Sequence, residues 1–252
     1  MNSIPTYSLL QISLDPIIDR ESLEKASDSV PSVTRADCAF IHRDLFGIVI
    51  SGLLLQEANT FKVALEQQGF ATEVVADREI PVLHEPFTIQ RIHFHGEALI
   101  FTDMMGREQS RPLQDLAFVA GGFLTQSKLK TVHVMEIGNQ GASHRALHLS
   151  QLERQVKTEN VPEFRLDFFW GSSPNRLRAS ISAASVMFFR DSPLRLKDTA
   201  SLLGLTVSLR ELLPTERVSA GLKRSDAKNF YPSLRSYEEE IRWHFHRLKK
   251  QF

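Results

Sequence analysis

The chain has 252 residues, 42% hydrophobic and 24% charged, a composition typical of a soluble globular protein with one large or two smaller compact units. Thirty Lys and Arg residues balance thirty Asp and Glu residues, so a formal net charge of zero gives no overall field to attract nucleic acid or an anionic membrane. The single cysteine, Cys38, excludes an internal disulfide and indicates a buried thiol in a reducing, cytoplasmic compartment. No apolar run is long enough for a membrane span.

The first third of the chain predicts a ferredoxin-like α+β domain over residues 1–84. Its N-terminal stretch is typical of a strand and lacks the basic start and long apolar run of a signal peptide. The expected elements are a strand at 6–14, a helix that starts at Asp15 and Pro16 and ends near 27, a hairpin of strands at 36–44 and 46–55, a helix at 54–69 and a strand at 71–77. This is the order of the split βαβ arrangement.

After two prolines between residues 80 and 86, the pattern predicts a second, mostly antiparallel β-rich domain over residues 87–252. The expected strands are 88–95, 98–103, 108–113, 116–125, 131–137, 163–171 and 176–189. The expected helices are one at about 144–157, one that begins at Ser192 and Pro193 and ends near Gly204, and a final helix capped by Ser236 with Glu239 in a capping box.

The segment "IHFHGEALIFTD" followed by "REQSRPLQDLAFVAGG" resembles bacterial pleckstrin-homology-like domains. The resemblance covers about residues 88–190 and implies a curled antiparallel sheet closed by a C-terminal helix. Both this fold and the ferredoxin-like fold host many functions, so the resemblance favours binding or regulation without selecting a ligand.

The stretch "RIHFHGEALIF" predicts a tight hairpin in which Gly96 and Glu97 form the turn. Strand alternation then places Ile92, Phe94, Leu99 and Phe101 together on an apolar face and His93 with His95 on the opposite face. This hydrophobic pattern alone explains the two histidines as the polar side of a half-buried sheet.

Two histidine pairs also have spacings that a metal site could use. His93 and His95 share one strand face, and His133 is the candidate third ligand that zinc would need. His144 and His148 have the helical i, i+4 spacing of paired imidazole ligands, but the local sequence lacks the glutamate of the metalloprotease motif. These residues are candidates only, and we expect no metal or cofactor.

The final helix, "SYEEEIRWHFHRLKKQF", carries more information than any other segment. An apolar stripe should anchor it to the domain and comprises Tyr237, Ile241, Phe245, Leu248 and Phe252. Trp243 lies about 160° from Ile241 at 100° per residue, so either another part of the chain or a protein partner must cover it. We predict a candidate contact surface of Trp243, His246 and Arg247.

Basic residues interleave with the aromatic residues of the same helix. Arg242, Arg247, Lys249 and Lys250 could contact nucleic acid, but cations at a helix C-terminus also stabilise the helix dipole, and the neutral chain favours that explanation.

No recognisable catalytic constellation or phosphate-binding loop occurs in the sequence. The sequence therefore favours a non-enzymatic cytoplasmic binding or regulatory protein. The alternative is a metal-dependent hydrolase that uses the histidines named above.

Overall fold

The computed structural model describes residues 4–135, 152–171, 175–179, 186–189, 192–195, 199–223 and 230–250. The protein is α+β, with one antiparallel sheet near the N-terminus and one larger mixed sheet. No helix within these ranges is both long and apolar enough to cross a bilayer.

The N-terminal unit is a three-stranded antiparallel sheet covered by helices. Its elements are β1 (Tyr7–Gln11), α1 (Arg20–Ser27), α2 (Arg35–Asp44), β2 (Ile48–Leu53), α3 (Leu55–Glu66) and β3 (Thr72–Ala76). β1 is central and pairs with β2 on one side and β3 on the other. One face of the sheet and the three helices enclose a core that includes Leu9, Leu23 and Phe61.

The predicted strand at 36–44 is wrong, because these residues form helix α2. Thr34 caps the helix: its hydroxyl accepts a hydrogen bond from the Asp37 N–H at 3.2 Å, and its own N–H donates to the Asp37 carboxylate at 2.9 Å. Cys38 and the partly buried Ile41 face the core from this helix. The sheet therefore lacks the strand expected between α1 and β2.

Helix α1 also begins later than predicted. Asp15 and Pro16 do not start it; instead the carboxylate of Asp19 accepts a hydrogen bond from the Ser22 N–H at 2.8 Å and caps the helix. The predicted start and the observed cap both rely on aspartate, and only Asp19 lies one turn before the buried Leu23.

The C-terminal unit is built on an eight-stranded mixed sheet. Its elements are β4 (Phe87–His95), β5 (Ala98–Asp103), β6 (Glu108–Pro112), β7 (Leu116–Met135), β8 (Leu152–Trp170), β9 (Arg176–Ala179), β10 (Val186–Phe189), β11 (Ser192–Arg195), α4 (Thr199–Leu212), α5 (Ala220–Lys223) and α6 (Leu234–Lys249). The strand order is β11-β10-β4-β9-β8-β7, and β5 links β4 to β6. β4 runs parallel to β9 and β10, and the other pairs are antiparallel.

Several predicted boundaries in this unit need correction. The strands expected at 116–125 and 131–137 are parts of one strand, β7, and residues 152–157 of the expected helix lie in β8. Ser192 and Pro193 lie in β11, paired with β10, so α4 begins at Thr199. Pairing with neighbouring strands supplies the backbone hydrogen bonds of these segments. A helix signal in the local sequence contains no information about such distant pairing.

The hairpin of β4 and β5 confirms the prediction for residues 92–101. Ile92 pairs with Phe101 and Phe94 with Leu99, and all four side chains are buried. Gly96 has a positive φ of 58°, as the first central residue of the tight turn requires.

Helix α6 lies between the large sheet and the N-terminal sheet. Tyr237, Ile241 and Phe245 are fully buried against β7 and β8, and Leu248 packs partly buried on the same cluster, which confirms these members of the predicted apolar stripe. Phe252 lies outside the described residues. Its N-cap is Ser233, whose hydroxyl accepts from the Ser236 N–H at 3.1 Å, so the predicted cap at Ser236 is wrong by one turn. The opposite face of α6 contacts the N-terminal unit.

Candidate ligand-binding cleft

Trp243 is covered by the chain itself. Its indole packs against Leu10, Ile48, Val75 and Ile80, on the face of the N-terminal sheet that α1, α2 and α3 leave open. The indole N–H donates a hydrogen bond of 2.7 Å to the backbone oxygen of Gln11. The sequence left two explanations for Trp243, cover by another part of the chain or by a protein partner, and the structure shows cover by the chain.

The other residues of the predicted contact surface also face the N-terminal unit. His246 is buried, with Nε2 3.5 Å from the Glu73 carboxylate, and Arg247 lies 3.6 Å from the same carboxylate. Burial and the nearby Lys250 lower the pKa of His246, while Glu73 opposes that change. Lys250 forms an ion pair with Glu73, and Arg242 donates to the Pro81 oxygen at 3.1 Å. Three of the four basic residues proposed for nucleic acid therefore hold α6 on the N-terminal unit.

The candidate metal ligands are not assembled into one site among the described residues. His93 and His95 lie on the outer face of the β4–β5 hairpin with ring centroids 5.6 Å apart. His133 lies in β7, and His144 and His148 fall outside the described residues. Within the described ranges, no group of three or more His, Cys, Asp and Glu side chains is arranged to hold a metal ion.

A cleft runs along α6 between the two units. It has a larger chamber of about 970 Å³ and a smaller one of about 640 Å³, and Ser13, Lys223, Trp243 and His244 line both. The segment after β1, the start of β7, α5 and α6 form its walls. The apolar lining of the larger chamber includes Ile12, Ala117 and Leu248.

His244 is one of the residues that line both chambers. Its ring stacks on Phe118 with centroids 3.7 Å apart and planes inclined by 16°, and this contact fixes its orientation. Its Nε2 is buried and has no hydrogen-bond partner among the described residues. Burial, with a smaller contribution from the Lys223 ammonium, lowers the pKa of His244 to about 4, so the imidazole is neutral at pH 7.

Positive charge dominates the larger chamber. Arg217, Lys223, Arg247 and Lys249 line it, against the single carboxylate of Glu216. Arg217 is held in place because its guanidinium donates to the backbone oxygens of Gln114 and Leu116, both at 3.1 Å.

A buried hydrogen-bond network fixes the floor of the smaller chamber. The Glu240 carboxylate accepts from the Ala220 N–H at 2.6 Å and from the Tyr231 hydroxyl at 2.5 Å. Burial raises the pKa of Glu240 and raises that of Tyr231 well above its usual value. These contacts join α5, which carries Lys223, to α6, which carries His244.

Sequence reasoning named Trp243, His246 and Arg247 as a contact surface for a protein partner; Trp243 and Arg247 line the cleft, but His244 and Lys223 were not named. His244 lies directly after Trp243 on α6, so its identity was available, but nothing in the helical pattern showed that a cleft would lie beside it. Lys223 lies at the end of the short helix α5, which the Glu240 network joins to α6, and no sequence pattern indicated that contact.

Comparisons of the chain with protein-family models, with curated proteins and with solved structures found no match.

Proposed function

We propose that the protein is a cytoplasmic binding or regulatory protein, not an enzyme, that holds a small molecule in the cleft along α6. The observation that carries this proposal is that two neighbouring chambers share Ser13, Lys223, Trp243 and His244 in their walls. Ligand sites in proteins have volumes of roughly 300–1,000 Å³, mainly apolar walls and a few fixed polar groups. Each of the two chambers has all three properties.

The position of the cleft supports a regulatory role. Ile12 and Ser13 belong to the N-terminal unit, whereas Ala117 belongs to the large sheet, and α6 contacts both. A ligand in the larger chamber would therefore touch both units. It would stabilise the observed arrangement, in which α6 packs on both sheets, relative to any arrangement that does not bind the ligand.

The two fold resemblances form part of the same proposal. β1 lies centrally between β2 and β3, which is consistent with a ferredoxin-like arrangement in which helix α2 replaces one strand. The pleckstrin-homology-like resemblance of residues 88–190 favours binding for the second unit. Buried, unpaired Cys38 is consistent with a reducing compartment.

Native mass spectrometry after incubation with the small-molecule fraction of source cells tests the proposal. We expect wild-type protein to retain a non-covalent ligand and Ala117→Phe to lose it, because the larger side chain would fill the main chamber. Ala117 lies at an irregularity of the β7–β8 register, so its side chain can change with little effect on the ladder. Ala117→Ser is the matched control and should retain the ligand. Equal retention by Ala117→Phe, or no retention by wild type, would contradict the proposal.

A further inference from the structure

We infer that the ligand of this cleft is a small organic anion, a carboxylate or a phosphate monoester with an apolar body, whose charged group binds between Lys223 and His244. The inference rests on the proposed function and adds the chemical class of the ligand. It depends on the charge of the larger chamber, on the free polar atom of His244 and on the apolar surface beside them.

The charge of the larger chamber is not neutralised within the described part of the chain. Arg247 shares the Glu73 carboxylate with Lys250, at 3.6 Å from Arg247. Neither Lys223 nor Lys249 forms an ion pair with any residue in the described ranges. A cleft lined by one sign of charge with apolar walls concentrates the field and attracts a ligand of the opposite charge.

His244 supplies a directional contact next to that charge. Buried polar atoms in folded proteins nearly always have a partner, and the Nε2 of His244, on a side chain that lines both chambers, has none among the described residues. A ligand between His244 and Lys223 would supply that partner. With the proton on Nε2, the neutral ring donates a hydrogen bond to a carboxylate or phosphate oxygen. The stack on Phe118 holds the ring in place before the ligand arrives.

The apolar surface accounts for the rest of the ligand. Trp243, Ile12 and Leu248 line the same chamber as Lys223, so a molecule whose anion reaches Lys223 lays its body on these side chains. A cationic ligand would be repelled by the four basic residues, and a neutral one would make no charge-assisted contact with the Lys223 ammonium.

A charge-matched series tests the inference: 1-naphthoate as the anion, 1-naphthalenemethanol as the neutral compound and 1-naphthylmethylamine as the cation. The chain has two tryptophans, so ¹⁵N-labelled indole N–H signals report binding directly. Trp243 lines the cleft. Trp170 belongs to the hydrophobic core on the large sheet, where its indole N–H donates a hydrogen bond to the Pro112 oxygen, and its signal serves as an internal reference. We expect naphthoate to shift the Trp243 signal and to bind at least about tenfold more tightly than the alcohol, because hydrogen bonds to a charged group are the stronger ones.

Three variants separate the groups that carry the inference. Lys223→Met should weaken naphthoate binding about tenfold or more and leave the alcohol unchanged. His244→Phe, which keeps an aromatic ring beside Phe118, should also weaken naphthoate selectively. Lys25→Met, at an exposed position of α1 that lines neither chamber, removes the same charge and should have no effect.

Each contrary result has a distinct meaning. If the alcohol or the amine binds as tightly as naphthoate, or if Lys223→Met has no effect, the ligand class is wrong while the cleft remains a binding site. If none of the three compounds shifts the Trp243 signal, the ligand class is also wrong. The native mass spectrometry with the small-molecule fraction of source cells then decides whether the cleft binds a ligand at all.

Discussion

The indole ring of Trp243 lies directly on the backbone of Gly47, so closely that a methyl group on Gly47 would come within 2.7 Å of the indole Cδ1. Gly47 joins α2 to β2, with a positive φ of 86°. The position therefore needs glycine for two reasons: the backbone conformation and the space that the indole occupies.

Gly47→Ala should destabilise the protein by about 2–5 kcal/mol, since it adds an overlap with the indole to the cost of a left-handed backbone. Gly52→Ala is the matched control, because Gly52 has a φ of 85° and nothing within 4 Å of an added methyl group. It should cost only about 1–2 kcal/mol. Urea unfolding measures both free energies, and equal losses would show that the indole does not lie on Gly47.

The stability of the protein should depend on pH through His244. Its pKa is lowered in the folded protein to about 4 from the usual 6.5, so the fold favours the neutral ring. This contribution to stability is fully present above pH 6.5 and is lost as the pH falls towards 4.

His244→Phe should therefore lose less stability than wild type between pH 6.5 and 4, by roughly 1 to 3 kcal/mol. The raised pKa values of Glu239 and Glu240 act in the opposite direction, but both proteins contain these residues. Urea unfolding at several pH values gives the slope of the unfolding free energy against pH for wild type and for His244→Phe. Parallel slopes would show that His244 is not buried as described.

Asp167 should be essential to the large sheet. It is fully buried, accepts two hydrogen bonds of 2.8 Å from Arg178 and lies 3.1 Å from the Tyr237 hydroxyl. Asp167→Asn should cost about 3–5 kcal/mol, because it leaves the guanidinium of Arg178 without its counter-charge. Asp167→Asn with Arg178→Met should recover part of this loss, as a double-mutant cycle by urea unfolding would measure. Additive losses would contradict the pairing.

The β4–β5 hairpin offers a test of its two faces. Phe94→Ala removes a buried ring and should cost about 3–5 kcal/mol of unfolding free energy. His95→Ala, one residue away on the exposed face, should change it by less than about 0.5 kcal/mol. A large loss from His95→Ala would show that the histidine has a structural partner or ligand in solution.

The hairpin was predictable residue by residue because its information is local. A glycine turn and strict alternation fix both the register and the buried face of Ile92 and Phe94. The stripe of α6 was predictable for the same reason, since Tyr237, Ile241 and Phe245 recur at helical spacing.

The errors arose where local signals compete with one another or with distant partners. At 36–44, apolar and aromatic residues favoured a strand, but the Thr34–Asp37 capping box, also visible in the sequence, was decisive for a helix. At Ser192 and Pro193, pairing with β10 overrode a plausible helix start. The cleft was not predictable, because Ser13, Lys223 and His244 come from three distant segments whose proximity no periodicity encodes.

The hydrogen bond from Trp243 to Gln11 joins residues 232 positions apart. During synthesis, the sheet face formed by Leu10, Ile48 and Val75 therefore stays uncovered until α6 has left the ribosome. Throughout that interval the nascent chain presents an apolar patch to the cell, and such surfaces are what chaperones bind and what aggregation begins from. The contact that builds the cleft can thus form only after the whole segment between Gln11 and Trp243 has been synthesised.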